Sequence, residues 1–224
     1  LIDSKIVMEI QFSRISFQEI KERSLGFISL DVKVIWIIED SKYYKGILYL
    51  NTFQAYFINH LSRTLITWNN SKQVLYKYSH IQHLEGRKFL AKKEILQMNN
   101  IKSDDTVLYC HTFKLSNDKI NKYIQQCRRK NSVLEPTLSA MYQLRMTDID
   151  VCNSSGFIFP QQLYIENHPV QWQLQLNLLK YQNKLSKDSL IKYLRFRHFY
   201  LNNYDQISIT SALIHAYVNE SNSS

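Results

Sequence analysis

A carboxylate and an amide two residues apart, Glu9 and Gln11, are the first residues in the chain whose types and spacing could do chemistry. Apolar and polar residues alternate through residues 6–13, so an extended strand would direct Glu9 and Gln11 to the same face. A carboxylate at the end of a strand can hold a hard cation such as Mg²⁺. The amide could orient the attacking water while the cation stabilises the charge that develops on a phosphate. The same pair is also compatible with solvated residues on the polar face of a half-buried strand.

The elements around this pair are predicted by local signals. Ser16 followed by Glu19 has the spacing of a capping box and predicts that a helix begins there. Residues 32–38 are almost wholly apolar, which is typical of a strand covered on both faces. A strand, a helix and a buried strand in this order predict a βαβ unit with the Glu-x-Gln strand first.

The sequence of this βαβ unit resembles the nuclease domain of the competence protein CoiA family. That family shows a strand ending in E-x-Q-x-S, an I-S entry to a helix, E-R-[ST] within the helix, and a strand close to V-I-W-I-L. The positions that match in order are Glu9, Gln11, Ser13, Ile15, Ser16, Glu22, Arg23, Ser24, Val34, Ile35, Trp36 and Ile37.

The resemblance implies a fold and a site. The family is placed among the PD-(D/E)xK, restriction-endonuclease-like folds, so an α/β core is expected. Glu9 would be the ligand of Mg²⁺ or Mn²⁺, Gln11 would stand where the usual Lys stands, and Ser13 and Arg23 would support the site or contact DNA. The implied function is the processing of incoming DNA in natural transformation and recombination, with DNA as a partner and a recombination protein such as RecA as another.

One expected ligand is missing from the pattern. The family carries an Asp on the strand before Glu9, and the alignment puts it two positions upstream of Leu1. Asp3 does not replace it, because Asp3-Ser4-Lys5 is typical of a hairpin turn. The sequence therefore predicts an N-terminally truncated fragment of a longer protein, with little or no nuclease activity by itself. A nuclease fold that binds DNA or a recombinase without cleaving is the alternative.

Composition sets further bounds. The chain has 224 residues, is 45% hydrophobic with only 4 Gly, and carries a net charge of +9, which favours an ordered protein with an anionic partner. Three widely spaced Cys form neither a disulfide framework nor a zinc motif, which predicts a reducing, cytoplasmic location. No apolar run is long enough to span a bilayer.

The domain organisation is predicted from a change of character near residue 105. Residues 1–105 are expected to form the nuclease domain and residues 106–224 a mainly α-helical C-terminal domain. In the first domain we predict a helix over most of residues 47–65 and a hairpin over residues 65–80. In the second domain we predict a loop at 148–155 and five helices, at residues 118–131, 138–145, 169–183, 188–201 and 207–218.

Basic and aromatic residues late in the chain allow two interpretations. Arg195, Arg197 and His198 stand among the aromatic residues Tyr193, Phe196, Phe199 and Tyr200. Such rings could stack on nucleic-acid bases, but at helical spacing they are more often part of a core. Arg87, Lys88, Lys92 and Lys93 are likewise compatible with phosphate contacts or with a solvated basic face.

Overall fold

The structure, a computed structural model, describes residues 5–97, 110–130, 132, 134–201 and 204–223. The described residues form two compact units. The first unit contains the residues up to His83 together with 87–97 and 197–201. The second unit contains 84–86, 110–196 and 204–223. Among these residues, no helix is both long and apolar enough to cross a membrane.

The elements are mostly strands in the first unit and mostly helices in the second. The strands are β1 (Lys5–Gln11), β2 (Val32–Glu39), β3 (Tyr43–Tyr44), β4 (Ile47–Tyr49), β5 (Leu65–Asn69), β6 (Val74–Glu85), β7 (Lys88–Leu96), β8 (Phe113–Lys114) and β9 (Phe157–Ile158). The helices are α1 (Phe17–Ser29), α2 (Thr52–Ala55), α3 (Asn117–Arg129), α4 (Pro136–Leu144), α5 (Asp148–Ser154), α6 (Pro169–Tyr181), α7 (Lys187–Ile191) and α8 (Gln206–Ser223), with a 3-10 helix at Pro160–Tyr164.

A mixed seven-stranded sheet in the order β1-β2-β5-β6-β7-β4-β3 is the centre of the first unit. β1 pairs in parallel with β2, and β2 in parallel with β5, whereas the β5–β6, β4–β7 and β3–β4 pairs are antiparallel. The expected α/β class and the β1–α1–β2 unit are therefore confirmed. The predicted hairpin is also confirmed and corresponds to β5 and the first half of β6.

Helix α1 is fixed at its start and against the sheet by hydroxyl groups. Ser16 caps the helix, because its Oγ accepts the Glu19 backbone N–H at 3.1 Å. Ser24 is fully buried, and its Oγ accepts the indole N–H of Trp36 at 3.1 Å. This hydrogen bond joins the middle of α1 to the middle of β2.

The two faces of β1 are covered in an unexpected way. The polar face is the covered one, and Gln11 is only 7% exposed. The apolar face is open, with Ile10 62% exposed. The interpretation that Glu9 and Gln11 are both solvated residues is thus wrong for Gln11, because α1 packs on the side to which the polar residues point.

The predicted helix over residues 47–65 is wrong. The region contains β4, the four-residue helix α2 and a bridge between Asn59 and Thr64. Asn51 caps α2 with a reciprocal capping box to Gln54, so a helix does begin there but ends within one turn. A short strand followed by a single turn can mimic the 3.6-residue period, which explains the error.

The second unit confirms four of its five predicted helices, namely α3, α4, α6 and α8. The predicted loop at 148–155 is wrong, because Thr147 and Asp150 form a capping box that starts α5. The predicted helix at 188–201 is only α7. Beyond α7 the Arg195 N–H donates to Asn167 Oδ1 at 2.6 Å, and Phe196 forms a bridge with Ile165. In this segment, hydrogen bonds to residues distant in the chain thus replace the hydrogen bonds that a helix would make.

Candidate active site

Glu9 and Gln11 lie on the face of β1 that is directed towards α1. In the parallel register Glu9 is opposite Trp36 and Gln11 is opposite Ile38. Because Trp36 bonds to α1, its partners on the same face also point to the helix layer. The predicted shared face is therefore confirmed. The Glu9 side chain is 28% exposed, so its carboxylate remains accessible to solutes.

Gln11 is held in one orientation by Ser13. The Gln11 Nε2 donates to the Ser13 backbone oxygen at 2.7 Å and to the Ser13 Oγ at 2.9 Å. Both amide hydrogens are then engaged, which leaves the amide oxygen as the atom that Gln11 can offer to a water or a cation. Gln11 therefore supplies an acceptor where the Lys of the PD-(D/E)xK pattern would supply a positive charge.

Arg23 brings a positive charge to this face from α1. Its Nη1 lies 3.5 Å from the Glu9 Oε1, and its Nη2 lies 2.6 Å from the Glu19 Oε1 one helical turn earlier. The Arg23 side chain is 43% exposed, and ion pairs so open to solvent contribute little to stability. The guanidinium is therefore held only weakly by these two carboxylates.

The residues predicted for the site are brought together, but they do not complete a metal site. Glu9 contributes one carboxylate and Gln11 one amide oxygen, whereas Mg²⁺ binds through one or two carboxylates together with waters and substrate phosphates. The described part of the chain contains no group of three or more His, Cys, Asp or Glu placed to hold a metal ion. Asp3, Asp104 and Asp105 lie outside the described residues.

A buried carboxylate that the sequence did not single out lies at the same end of the sheet. Asp40 directly follows β2, and its Oδ1 accepts hydrogen bonds from Thr67 at 2.9 Å and from Tyr78 at 2.8 Å. Its Oδ2 accepts from Asn69 at 3.0 Å and from Lys93 at 2.9 Å. An acidic residue directly after an apolar parallel strand was the available signal, since such strand ends are common ligand sites.

Lys93 is buried in aromatic surroundings rather than solvated. Its Nζ lies 3.6 Å from the centroid of the Tyr76 ring and 5.1 Å from that of Tyr78, and its side chain is 19% exposed. Burial raises the pKa of Asp40, whereas hydrogen bonds from Asn69, Lys93 and its other partners lower that pKa. The combined lowering exceeds the effect of burial, so the pKa lies below its ordinary value. For Lys93, the predicted solvated basic face is wrong. The pair joins β2 to β7 across the two strands between them.

The mixed sheet, with a Glu-x-Gln strand facing its crossover helix, is consistent with a nuclease-like α/β domain. Residues 2–110 match the family described as competence protein CoiA, nuclease-like domain. This match confirms the resemblance of this part of the chain to the CoiA family that the sequence predicted. Comparisons with curated proteins and with solved structures gave no match.

Proposed function

We propose that residues 2–110 act on DNA during natural transformation and recombination by metal-dependent hydrolysis of phosphodiester bonds. The observation that carries the proposal is the grouping of Glu9, Gln11, Ser13 and Arg23 on one face of the sheet within a nuclease-like domain, with the Glu9 and Arg23 side chains partly exposed. The net charge of +9 is consistent with a polyanionic substrate.

Each residue of the group has a distinct proposed role. Arg23 releases the partly exposed Glu9 carboxylate and binds a phosphate oxygen of the substrate, for which a guanidinium is well suited. Gln11, oriented by Ser13, accepts a hydrogen bond from the attacking water through its amide oxygen. Gln11 neither abstracts a proton nor provides charge, so charge stabilisation comes from Arg23 and from a cation.

Mg²⁺ or Mn²⁺ is the proposed cofactor, with Glu9 as one ligand. Such a cation would stabilise the charge that develops on the phosphate. The described residues contain no group of three or more potential ligands, so we propose that a second acidic residue, which the family pattern places on a strand before Glu9, completes the metal site. We therefore expect the 224-residue chain to show little or no cleavage.

The wider organisation is proposed from the same resemblance. The sheet and α1 would correspond to a restriction-endonuclease-like core, and the helices from α3 onward to a helical C-terminal domain. We propose a cytoplasmic protein that works beside a recombination protein such as RecA.

The test is divalent-metal-dependent cleavage of labelled single- and double-stranded DNA. The chain is compared with a version extended at its N terminus by the strand that the family pattern places before Glu9. We expect the extended protein to cut with Mg²⁺ or Mn²⁺ and not with EDTA, and Glu9→Ala to abolish cutting. Appreciable cleavage by the 224-residue chain would contradict the view that its ligand set is incomplete.

Glu39→Gln is the matched control for Glu9. Glu39 is an exposed carboxylate at the end of the neighbouring strand, and it lies on the opposite face because it is paired with Trp68 rather than with a helix-facing residue. Its substitution should leave cleavage unchanged. Equal loss of activity in the Glu39 and Glu9 variants would indicate a general effect of charge rather than a site at Glu9.

A DNA- or recombinase-binding module without catalysis is the second candidate. It is favoured by Gln11 in place of Lys and by the absence, among the described residues, of any group of three or more potential metal ligands. The two candidates differ in their use of Glu9. A binding module should keep its DNA affinity in Glu9→Gln and show no cleavage in the extended protein, whereas a nuclease should lose its cutting.

A further inference from the structure

An open cavity of about 440 Å³ lies just beyond the end of β1 in the first unit. Arg14, Ser16 and Phe17 contribute to one part of its lining, and Asn51 and Tyr56 to another. Its volume is in the range of ~300–1,000 Å³ that is typical of small-ligand sites. Arg14 is three residues from Gln11, so the cavity directly follows the Glu-x-Gln strand along the chain.

Aromatic rings form one wall of this cavity. The ring centroids of Phe17 and Tyr56 are 4.9 Å apart, and the His198 ring, which is not part of the lining, packs against Phe17 at 4.7 Å with a tilt of 35° between the planes. Phe17 and Tyr56 are only half-buried, and His198 is exposed. The Tyr200 N–H donates to the Tyr56 backbone oxygen at 2.9 Å, which fixes the segment carrying His198 beside the other two rings. These flat surfaces are thus held in place before any ligand binds.

The charge of the cavity favours an anion. Arg14 is exposed, and it makes no ion pair with any other described residue. No acidic side chain is part of the lining. A ligand with a flat apolar ring and a negative charge would therefore match both the aromatic wall and the guanidinium.

We propose that this cavity binds one unpaired nucleotide of DNA, with its base against Phe17 and Tyr56 and its phosphate at Arg14. A base within a duplex has both faces covered by its neighbours, so only an unpaired base can offer a face to these rings. The inference rests on the proposed function, because it identifies the nucleotide as part of the strand presented to Glu9. It adds to that function a preference for single strands or frayed ends.

The test is DNA binding in EDTA, where no metal-dependent cleavage occurs. Fluorescence anisotropy is measured with a labelled thymidine oligonucleotide and with an abasic strand of the same length. We expect the chain to bind the thymidine strand more tightly. Phe17→Leu/Tyr56→Leu should weaken that binding at least fivefold, to the level of the abasic strand, because a ring–base contact is lost.

Two further variants separate stacking from charge. Tyr44→Leu removes an aromatic ring that is 59% exposed elsewhere in the same unit, and it should bind as the parent does. Arg14→Gln should weaken binding to both strands alike and lower the slope of affinity against salt by about one. Circular dichroism and melting temperature establish that each variant is folded.

The proposal is overturned if the parent does not prefer bases over abasic sites, or if the double variant binds like Tyr44→Leu. Tighter binding of an RNA of matching sequence would overturn the assignment to DNA. These outcomes are independent of catalysis. An N-terminally extended protein with Glu9 intact that fails to cut but keeps the base preference would refute the nuclease and leave this site standing.

Discussion

The buried pair of Asp40 and Lys93 gives the most quantitative prediction. Lys93→Met removes the positive charge but keeps an unbranched side chain of similar length in contact with Tyr76. The Asp40 side chain is only 8% exposed, so its carboxylate would remain buried with three of its four donors. The substitution therefore isolates the ion pair and the contact of the ammonium with the aromatic rings.

The expected loss follows from these contacts. Removing one partner of a fully buried ion pair costs about 3–5 kcal/mol, and a desolvated cation–π contact adds up to about 2 kcal/mol. The remaining exposure of Lys93 and the three remaining donors to Asp40 reduce this cost. We expect the free energy of unfolding to fall by about 2–4 kcal/mol. With a urea slope of about 2 kcal/mol per molar, the midpoint should fall by roughly 1–2 M.

The assay is urea unfolding followed by fluorescence, with hydrogen exchange of peptides from β2 and β5 to assign the change to the first unit. Lys92→Met is the matched control. Lys92 is a neighbouring, exposed lysine whose ion pair with Glu94 is open to solvent, so its midpoint should not move. Lys93→Arg keeps the charge and should retain most of the stability. Equal midpoints for Lys93→Met and Lys92→Met would refute the reasoning.

Three other perturbations test the packing. The pKa of Asp40 is lower in the folded protein than in the unfolded chain, so the stability that its carboxylate contributes is complete above about pH 4. This stability is lost as the pH falls through the pKa of the folded protein. Urea midpoints measured between pH 2 and 7 should show this loss, and Asp40→Asn should make the midpoint less dependent on pH. Gly156 has φ of 93°, and a Cβ there would lie 2.6 Å from the Ile120 Cδ1. Gly156→Ala should therefore lower the free energy of unfolding by about 1–3 kcal/mol, measured by thermal unfolding. Adding Ile120→Val should recover part of this loss. Ser24→Ala leaves the buried indole N–H of Trp36 without its acceptor and should lower the free energy of unfolding by about 1–3 kcal/mol in the same measurement. A loss below about 0.5 kcal/mol would contradict the role of Ser24 as that acceptor.

Local signals predicted the part of the fold that carries the site. The alternation in β1, the cap at Ser16 and the apolar run of β2 each depend on neighbouring residues, so the sequence predicted the β1–α1–β2 unit and the common face of Glu9 and Gln11. Pro169 at the first position of α6 is a similar case, because a proline there sacrifices no helical hydrogen bond.

Prediction failed where short elements are stabilised by distant partners. The region before β5 was predicted as a helix because its apolar residues recur at nearly helical spacing. β4 instead pairs with β7, a strand that begins 39 residues after the end of β4 in the chain. Likewise, Arg195 and Phe196 leave the helical conformation because the side chain of Asn167 and the backbone of Ile165, from another part of the second unit, offer them hydrogen-bond partners.

The sequence by itself determined the chemistry available at the candidate site: the Glu-x-Gln strand, its orienting Ser13, the Arg23 of the following helix and the resemblance to the CoiA family. Tertiary structure decided which face of β1 is covered, that Asp40 and Lys93 form a buried pair, and that Phe17 and Tyr56 line one cavity with His198 packed against Phe17. The physical reason is distance along the chain. Periodicity and capping act over a few residues, whereas the burial of a charge or the meeting of three rings depends on segments up to 181 positions apart, which only the folded packing brings into contact.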